Sequence, residues 1–258
     1  MVKEQHPKVR LIANPVNIGF GAGNNVAVPQ TESRYVLFLN SDTIVMENAL
    51  TGLVKYADSR PEVGIVGAKL LNEDGSLQYS CRRYPNLMTG FFRNTPLGKL
   101  FPDNKHATDY LMQDWDHATP RDVDWVSGAA LMLRRKLYDQ IGAFDEDYFM
   151  YCEDVDLCYR ANHAPHPDRP GETWKVAYFP DSIIYHYIGK SSDLAPTRMT
   201  YEFHKSQHLF YVKHYRNTTP LLIRPIIPVG IVLRSVGQLS LYRVRFYRRK
   251  LRERFGKG

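Results

Sequence analysis

The run Tyr35-Val36-Leu37-Phe38-Leu39 carries no charged or small polar side chain and stops at Asn40-Ser41-Asp42. Five such residues in a row cannot alternate between core and water, so a strand made from them must be covered on both faces. That demand favours layers of helices on a sheet. The run Val63-Gly64-Ile65-Val66-Gly67-Ala68-Lys69-Leu70 reads as another strand, and Asp124 to Leu133 resumes apolar strand character. Val9 to Ala13, Trp174 to Phe179 and Ile183 to His186 read as further short strands. Helical patterns cover Asn48 to Tyr56, Arg135 to Ile141 (stopped by Gly142), Glu153 to Ala161 and Met199 to Tyr215. The turn signal Asn72-Glu73-Asp74-Gly75 makes Lys69 to Arg82 a hairpin. Phe91 to Pro120 lacks a period and is expected as a surface excursion, and His163 to Glu172 as a loop. Strands alternating with helices predict an α/β fold with a mainly parallel sheet.

The chain has 258 residues, 43% of them hydrophobic, enough to bury a sizeable core. Its charge of +7 is concentrated at one end. Arg243 to Gly258 holds eight Lys/Arg and one Glu, which leaves 26 basic and 26 acidic groups in the first 242 residues. A basic tail on a neutral body offers no continuous basic face for nucleic acid. Three cysteines are too few and too irregular for a disulfide framework or a zinc site, and the polar stretch Met1 to Arg10 is no secretory leader. These features suit a reducing cytoplasm.

Two acidic signals carry chemistry. Asp42 comes just after a buried strand, where open α/β sheets collect ligands, and could hold a divalent cation against a diphosphate. The plainer reading is a turn, with Asp42 or Thr43 capping the next helix. Glu153-Asp154 opens a helix after the aromatic stretch Tyr148-Phe149-Met150-Tyr151-Cys152, and Asp154 could take a proton from an acceptor hydroxyl. The plainer reading makes these acids partners of the helix dipole, with Asp156 and Arg160 paired one turn apart. His186 ends a strand and leads into Gly189-Lys190-Ser191, residue types that suit a diphosphate or metal-phosphate site. His204 and His208 lie one helical turn apart, but Lys205 stands where a zinc protease has Glu, so both are expected as face residues.

The order of the motifs is informative. It runs Asn17-Ile18-Gly19-Phe20 with Asn24-Asn25, Leu39-Asn40-Ser41-Asp42-Thr43, Asp74-Gly75 and Val126-Ser127-Gly128-Ala129-Ala130. Gly142-Ala143-Phe144-Asp145-Glu146, Phe149 to Arg160 and His186 to Ser191 come after these. From about Val9 to Ser192 the chain resembles a family 2 glycosyltransferase of the GT-A fold, in the rhamnosyltransferase-like branch.

The resemblance implies an inverting enzyme that uses Mg2+ or Mn2+. Asp42 matches the metal-binding acid of a DxD-like motif whose first acid is Asn40 here. Asp154 matches the catalytic base of an ED motif that includes Glu153. His186 matches a histidine near metal and diphosphate. Asn17, Gly19 and Asn24 match the loop bordering the nucleotide, and Trp125, Ser127 and Gly128 match the segment lining donor sugar and acceptor. The donor implied is a dTDP- or UDP-sugar, rhamnose the best single choice, and the acceptor a glycan on a lipid carrier at the cell surface. The family pattern begins with a strand, helix and strand that hold base and ribose. This chain starts after them, so truncation and weak nucleotide binding are expected. The alternative reading is a truncated, catalytically inactive domain acting as a membrane-associated binding or structural protein.

The expected organisation is a GT-A-like domain over 1–215 and an apolar, basic helical extension over 216–258. Leu233, Val236, Val244, Tyr247, Leu251 and Phe255 fall on one helical stripe between basic flanks. That pattern suits an anionic membrane surface, here the inner face of the cell membrane.

Overall fold

A computed structural model of the chain describes residues 2–86, 89, 100, 105–187 and 196–255, with side chains as far as Tyr242. The elements run in the order α1 (Val2–Gln5), α2 (Phe20–Asn25), β1 (Tyr35–Leu39), β2 (Thr43–Val45), α3 (Ala49–Ser59), β3 (Val63–Leu71), β4 (Leu77–Gln78) and β5 (Cys81–Arg82). Then come α4 (Lys105–Tyr110), β6 (Arg121–Asp122), β7 (Trp125–Val126), β8 (Ala130–Arg134), α5 (Arg135–Ile141), α6 (Glu153–His163), β9 (Lys175–His186), α7 (Pro196–Phe210) and α8 (Ile226–Phe255). Contacts divide the chain into two units. The first comprises Met1–Ile18, Ala22–Asp145 and Asp154–Ile188; the second comprises Gly19–Gly21, Glu146–Glu153 and Gly189–Gly258.

The first unit is built on a seven-stranded sheet whose main path is β1-β8-β3-β9-β2, with β4 on β3 and β6 on β9. The run Val63 to Ala68 is buried as expected, but of Tyr35 to Leu39 only Phe38 is buried and Leu39 is 38% exposed, because β1 stands at the end of the sheet path. One face of the sheet meets α3, whose Leu53 and Ala57 join Val66, Ala68, Met132 and Ile184 in one cluster. A fully buried leucine such as Leu53 contributes about 1.5–3 kcal/mol by leaving water. At the centre, Gly67 lies between Leu131 of β8 and Tyr178 of β9. A Cβ there would come within 2.5 Å of the Val126 side chain, so a larger residue would have to displace Val126 of β7 from the sheet face.

The α/β class stands, but the mainly parallel sheet does not. Among the described pairings only β3 with β9 is parallel; β1 with β8, β3 with β8, β2 with β9, β3 with β4 and β6 with β9 are antiparallel. Strands β1, β3 and β9 do point the same way, and β8 runs against them from between β1 and β3. A continuous apolar run reports cover on both faces, and helices cover an antiparallel strand as well as a parallel one.

Three local expectations also change. Val9 to Ala13 is not a strand; Val9 is 59% exposed and Arg10 instead bonds to the Gln30 side chain at 2.5 Å. A short, mostly apolar segment becomes a strand only when a partner edge meets it. The two strands read around Pro180 are one, β9, with a bulge: Ala68 pairs with Phe179 but Lys69 with Ile183. Proline is tolerated in a sheet at such bulges, and this one is fixed by the Ser182 hydroxyl donating to Ala49 O at 2.7 Å. The end of the expected surface excursion is built into the core: Met112 and His117 are buried, and His117 stacks on Trp115 with ring centroids 4.3 Å apart. Residues 90–99 and 101–104 lie outside the described residues.

In the second unit α8 packs on α7. Helix α7 buries Glu202, His204 and Ser206, so His204 is not the face residue expected, whereas His208 is exposed. His204 Nδ1–H donates to Thr200 O at 2.8 Å, and burial lowers its pKa. The segment before α6 is anchored within the same unit. Ser206 Oγ donates to Met150 O at 2.8 Å, and Phe20 N–H to Phe149 O at 2.8 Å. Gly19, at φ +98°, sits against that same Phe149 carbonyl, where a Cβ would collide.

Candidate functional site

The site begins where β1 ends. Because β1 and β8 are antiparallel, with Leu39 opposite Ala130, the carboxyl end of β1 meets the turn that enters β8. Asn40 N–H donates to Ala129 O at 3.0 Å and fastens the two. The chain then crosses to β2, whose Thr43 pairs with His186 of β9. Three strand ends thus bring Asn40, Asp42 and His186 together.

His186 is the hinge of this cluster. Its Nδ1 lies 2.8 Å from Gln78 Oε1. The Gln78 amide is oriented by donating from Nε2 to Asn72 Oδ1 at 3.0 Å and to His186 O at 3.3 Å, so Oε1 accepts and Nδ1 carries the proton. Nε2 is then the lone-pair nitrogen. It faces Asn40 Nδ2 at 3.2 Å and Asp42 Oδ1 at 3.4 Å. Burial lowers the His186 pKa although Asp42 opposes it, which keeps the ring neutral. Asp42 Oδ1 and an unprotonated His186 Nε2 are two convergent donors. Among the described residues no group of three His, Cys, Asp or Glu side chains is placed to hold a metal. Two protein donors fit a hard cation such as Mg2+ or Mn2+, which takes its remaining ligands from water and phosphate oxygens.

Asp154 is held differently. Its Oδ2 accepts from Gly128 N–H at 3.0 Å and its Oδ1 from Val155 N–H at 2.8 Å. Burial raises the pKa of this carboxyl; the two N–H groups and the nearby Arg82 charge oppose that and do not reverse it. A raised pKa makes the ionised carboxylate a stronger base. Gly128 is placed by β7 and by Ser127, whose N–H donates to Ser80 O at 2.7 Å and whose Oγ accepts from Ala129 N–H at 3.3 Å. Trp125, two residues earlier, donates its indole N–H to Arg83 O at 2.9 Å and carries the Arg82 guanidinium 5.0 Å over its ring.

One bonded chain therefore runs from His186 through Asn40, Ala129, Ser127 and Gly128 to Asp154. Asn17, exposed on the loop before α2, and Asn24, half-buried on α2, are not links in it. Gly19 and Glu153 belong to the second unit, where Glu153 is the buried first residue of α6. Asp156 takes the structural role: it pairs with Arg160 Nε at 2.7 Å, and that guanidinium also caps Ile141 O and Ala143 O. Gly189, Lys190 and Ser191 lie outside the described residues. Two contributors were missed. Gln78 had only its place on the return arm of the Asp74-Gly75 hairpin as a signal, and Arg82 had only its neighbour Arg83.

The family model described as "Glycosyltransferase like family 2" matches residues 1–203. The N-acetylglucosaminyl-diphospho-decaprenol L-rhamnosyltransferase of Mycobacterium tuberculosis H37Rv is 30% identical over 263 residues, covering 96% of this chain and 81% of that protein. The rhamnosyltransferase WbbL of Escherichia coli K12 is 32% identical over 154 residues, 57% of this chain and 55% of that one. Among solved structures, a mannosyltransferase of Pyrobaculum calidifontis in complex with GDP-Man and Mn2+ aligns with a TM-score of 0.48 at 16% identity, covering 92% of this chain and 56% of that one.

Proposed function

This chain belongs to glycosyltransferase family 2, and from that premise we propose that it is an inverting enzyme that moves a sugar from a nucleoside-diphosphate donor to a hydroxyl of a lipid-linked glycan. The carrying observation is the Asp154 carboxylate, positioned by two backbone N–H groups and made more basic by burial. Asp154 takes the acceptor hydroxyl's proton as its oxygen attacks the anomeric carbon. The bond from that carbon to the diphosphate oxygen breaks on the opposite face, and the nucleoside diphosphate leaves with the bonding electrons. Asp42 and His186 would hold a divalent cation, Mg2+ or Mn2+, whose charge offsets that of the leaving diphosphate. Asn40 orients His186, and Trp125, Ser127 and Gly128 line the donor-sugar side. By the family resemblance, Asn17 and Asn24 would border the nucleotide.

Rhamnose from a dTDP-sugar, with UDP-sugars as the other donors, is the transfer favoured by the likeness to two rhamnosyltransferases, one named for a diphospho-decaprenol acceptor. Residues 1–215 would perform it. The basic segment within 216–258 would hold the protein on the anionic inner face of the cell membrane, where a lipid-linked acceptor is found. The test is transfer from dTDP-rhamnose to an N-acetylglucosaminyl diphospholipid with Mn2+ or Mg2+ present. Product of inverted anomeric configuration is expected, lost with chelator and lost in Asp154→Asn. Transfer that survives Asp154→Asn, or absence of transfer from every dTDP- and UDP-sugar offered, overturns the reading.

A further inference from the structure

Helix α8 is turned inside out between Ile226 and Ser240. Its inward face, the side packed on α7, carries the half-buried Ile227, Ile231, Arg234 and Gln238. Its outward face carries Ile226, Val229, Val232, Leu233 and Val236, each more than half exposed, with Leu233 at 66%. Gly230 and Gly237 lie on the same outward side, and a Cβ at either would meet nothing within 4 Å. Just before the helix, Leu221 and Leu222 are 74% and 88% exposed. A helix that met only water outside would reverse this assignment, with Arg234 and Gln238 outward and the valines in. Contiguous apolar surface of this kind marks a partner.

The charge around the face identifies the partner. The fifty residues from Phe203 to Arg252 contain eleven Lys/Arg and no Asp or Glu. A second copy docked on this face would bring two basic segments together, which like-charge repulsion opposes. A surface that is apolar below and anionic above satisfies both features at once. No helix among the described residues is long and apolar enough to cross a membrane, so α8 would lie in its plane. We propose that the outward face of α8, with Leu221 and Leu222, inserts between the headgroups of an anionic bilayer. The inference rests on the membrane attachment given under the proposed function and deepens it, from a charge contact of the tail to an apolar insertion upstream of it. The stripe expected from sequence shares only Leu233 and Val236 with this face; the side chains of Val244, Tyr247, Leu251 and Phe255 lie outside the described residues.

Salt separates the two kinds of contact, because charge attraction is screened within about 3 Å at 1 M ionic strength while apolar burial is not weakened. Flotation of the full chain with phosphatidylglycerol/phosphatidylcholine vesicles is measured at low salt and at about 1 M. Three proteins are compared: the parent, V229D/L233D/V236D, and R248Q/R249Q/K250Q. The parent is expected to keep a salt-resistant fraction. The triple aspartate variant should bind about tenfold or more weakly and release fully in salt. The triple glutamine variant should bind more weakly at low salt yet keep the salt-resistant fraction. Complete release of the parent by salt overturns the proposal, as does equal salt-resistant binding by parent and aspartate variant. So does a dimer in light scattering that the aspartates dissolve while vesicle binding stays unchanged. Sugar transfer to a soluble acceptor analogue is assayed in parallel. It should be the same in parent and aspartate variant, and its absence from the parent would fault the transferase reading while leaving the vesicle result standing.

Discussion

The sheet end around Asp42 and Asp154 and the outward face of α8 break the ordinary arrangement of residues in opposite senses. At the sheet end, polar groups are gathered at the edge of the most apolar strands: Asn40, His186 and Asp154 lie next to residues such as Phe38 and Ala130 that are almost wholly buried. On α8, aliphatic side chains are turned out just upstream of the most basic part of the chain. Folding alone explains neither placement. Burying a carboxylate costs stability, and so does exposing a row of valines. Each departure therefore points to something the chain binds: polar reactants at the first, an apolar phase at the second.

Asp154→Asn should have the largest effect, lowering kcat/KM by about 10²- to 10⁴-fold in the transfer assay. The fold should survive. A carboxyl whose folded pKa is raised adds stability at acid pH, and that stability is lost as pH rises through the folded pKa, so ionised Asp154 weakens the fold near neutrality. Asparagine keeps an acceptor for only one of the two N–H groups, a loss set against the removed buried charge, so the variant should melt within a few degrees of the parent in calorimetry, and a large drop in Tm would recast Asp154 as structural. In the parent, kcat/KM should fall with decreasing pH through a value above the ordinary 3.8 of an aspartate. A profile still flat at pH 3.8 would contradict the raised base.

Leu131→Ala and Leu233→Ser compare the two regions as stability. Leu131 is fully buried between β1 and β3, and its truncation should cost about 2–5 kcal/mol in denaturant unfolding. Gln78→Ala, between these extremes, should leave stability nearly intact but raise the Mn2+ concentration for half-maximal activity by about tenfold or more, because His186 loses the acceptor that fixes its tautomer. An unchanged metal dependence would remove Gln78 from the site. Leu233→Ser, the smallest effect, should change unfolding free energy by no more than about 0.5 kcal/mol. A loss comparable to that of Leu131→Ala would mean the outward face is packed in solution, against the proposed membrane contact.

The α/β alternation was legible because it rests on local pattern. The apolar runs at Tyr35 to Leu39 and Val63 to Leu70 both became strands, the second buried throughout from Val63 to Ala68, and Arg135 to Ile141 became helix α5 with the bounds its period predicts. The candidate acids were legible for the same reason, since each stands at a visible change from apolar run to polar residues. Strand direction was not, because a buried strand carries the same residues whichever way its neighbour runs. The missing strand at Val9 to Ala13 and the bulge at Pro180 depended on partners far away in the chain.

Local pattern was enough for the layered class, the placing of Asp42 at a strand end and Asp154 at a helix start, and the concentration of positive charge toward the C-terminus. All of these come from short-range periodicity and composition. Long-range packing set the antiparallel course of β8 between β1 and β3, which carries Asn40 to the turn whose Gly128 N–H holds Asp154. It also decided that Gln78 fixes the His186 tautomer across 108 residues. And it decided which face of α8 meets α7, leaving Leu233 and its neighbours outside, because a helix's own sequence gives its stripes but not which of them is covered.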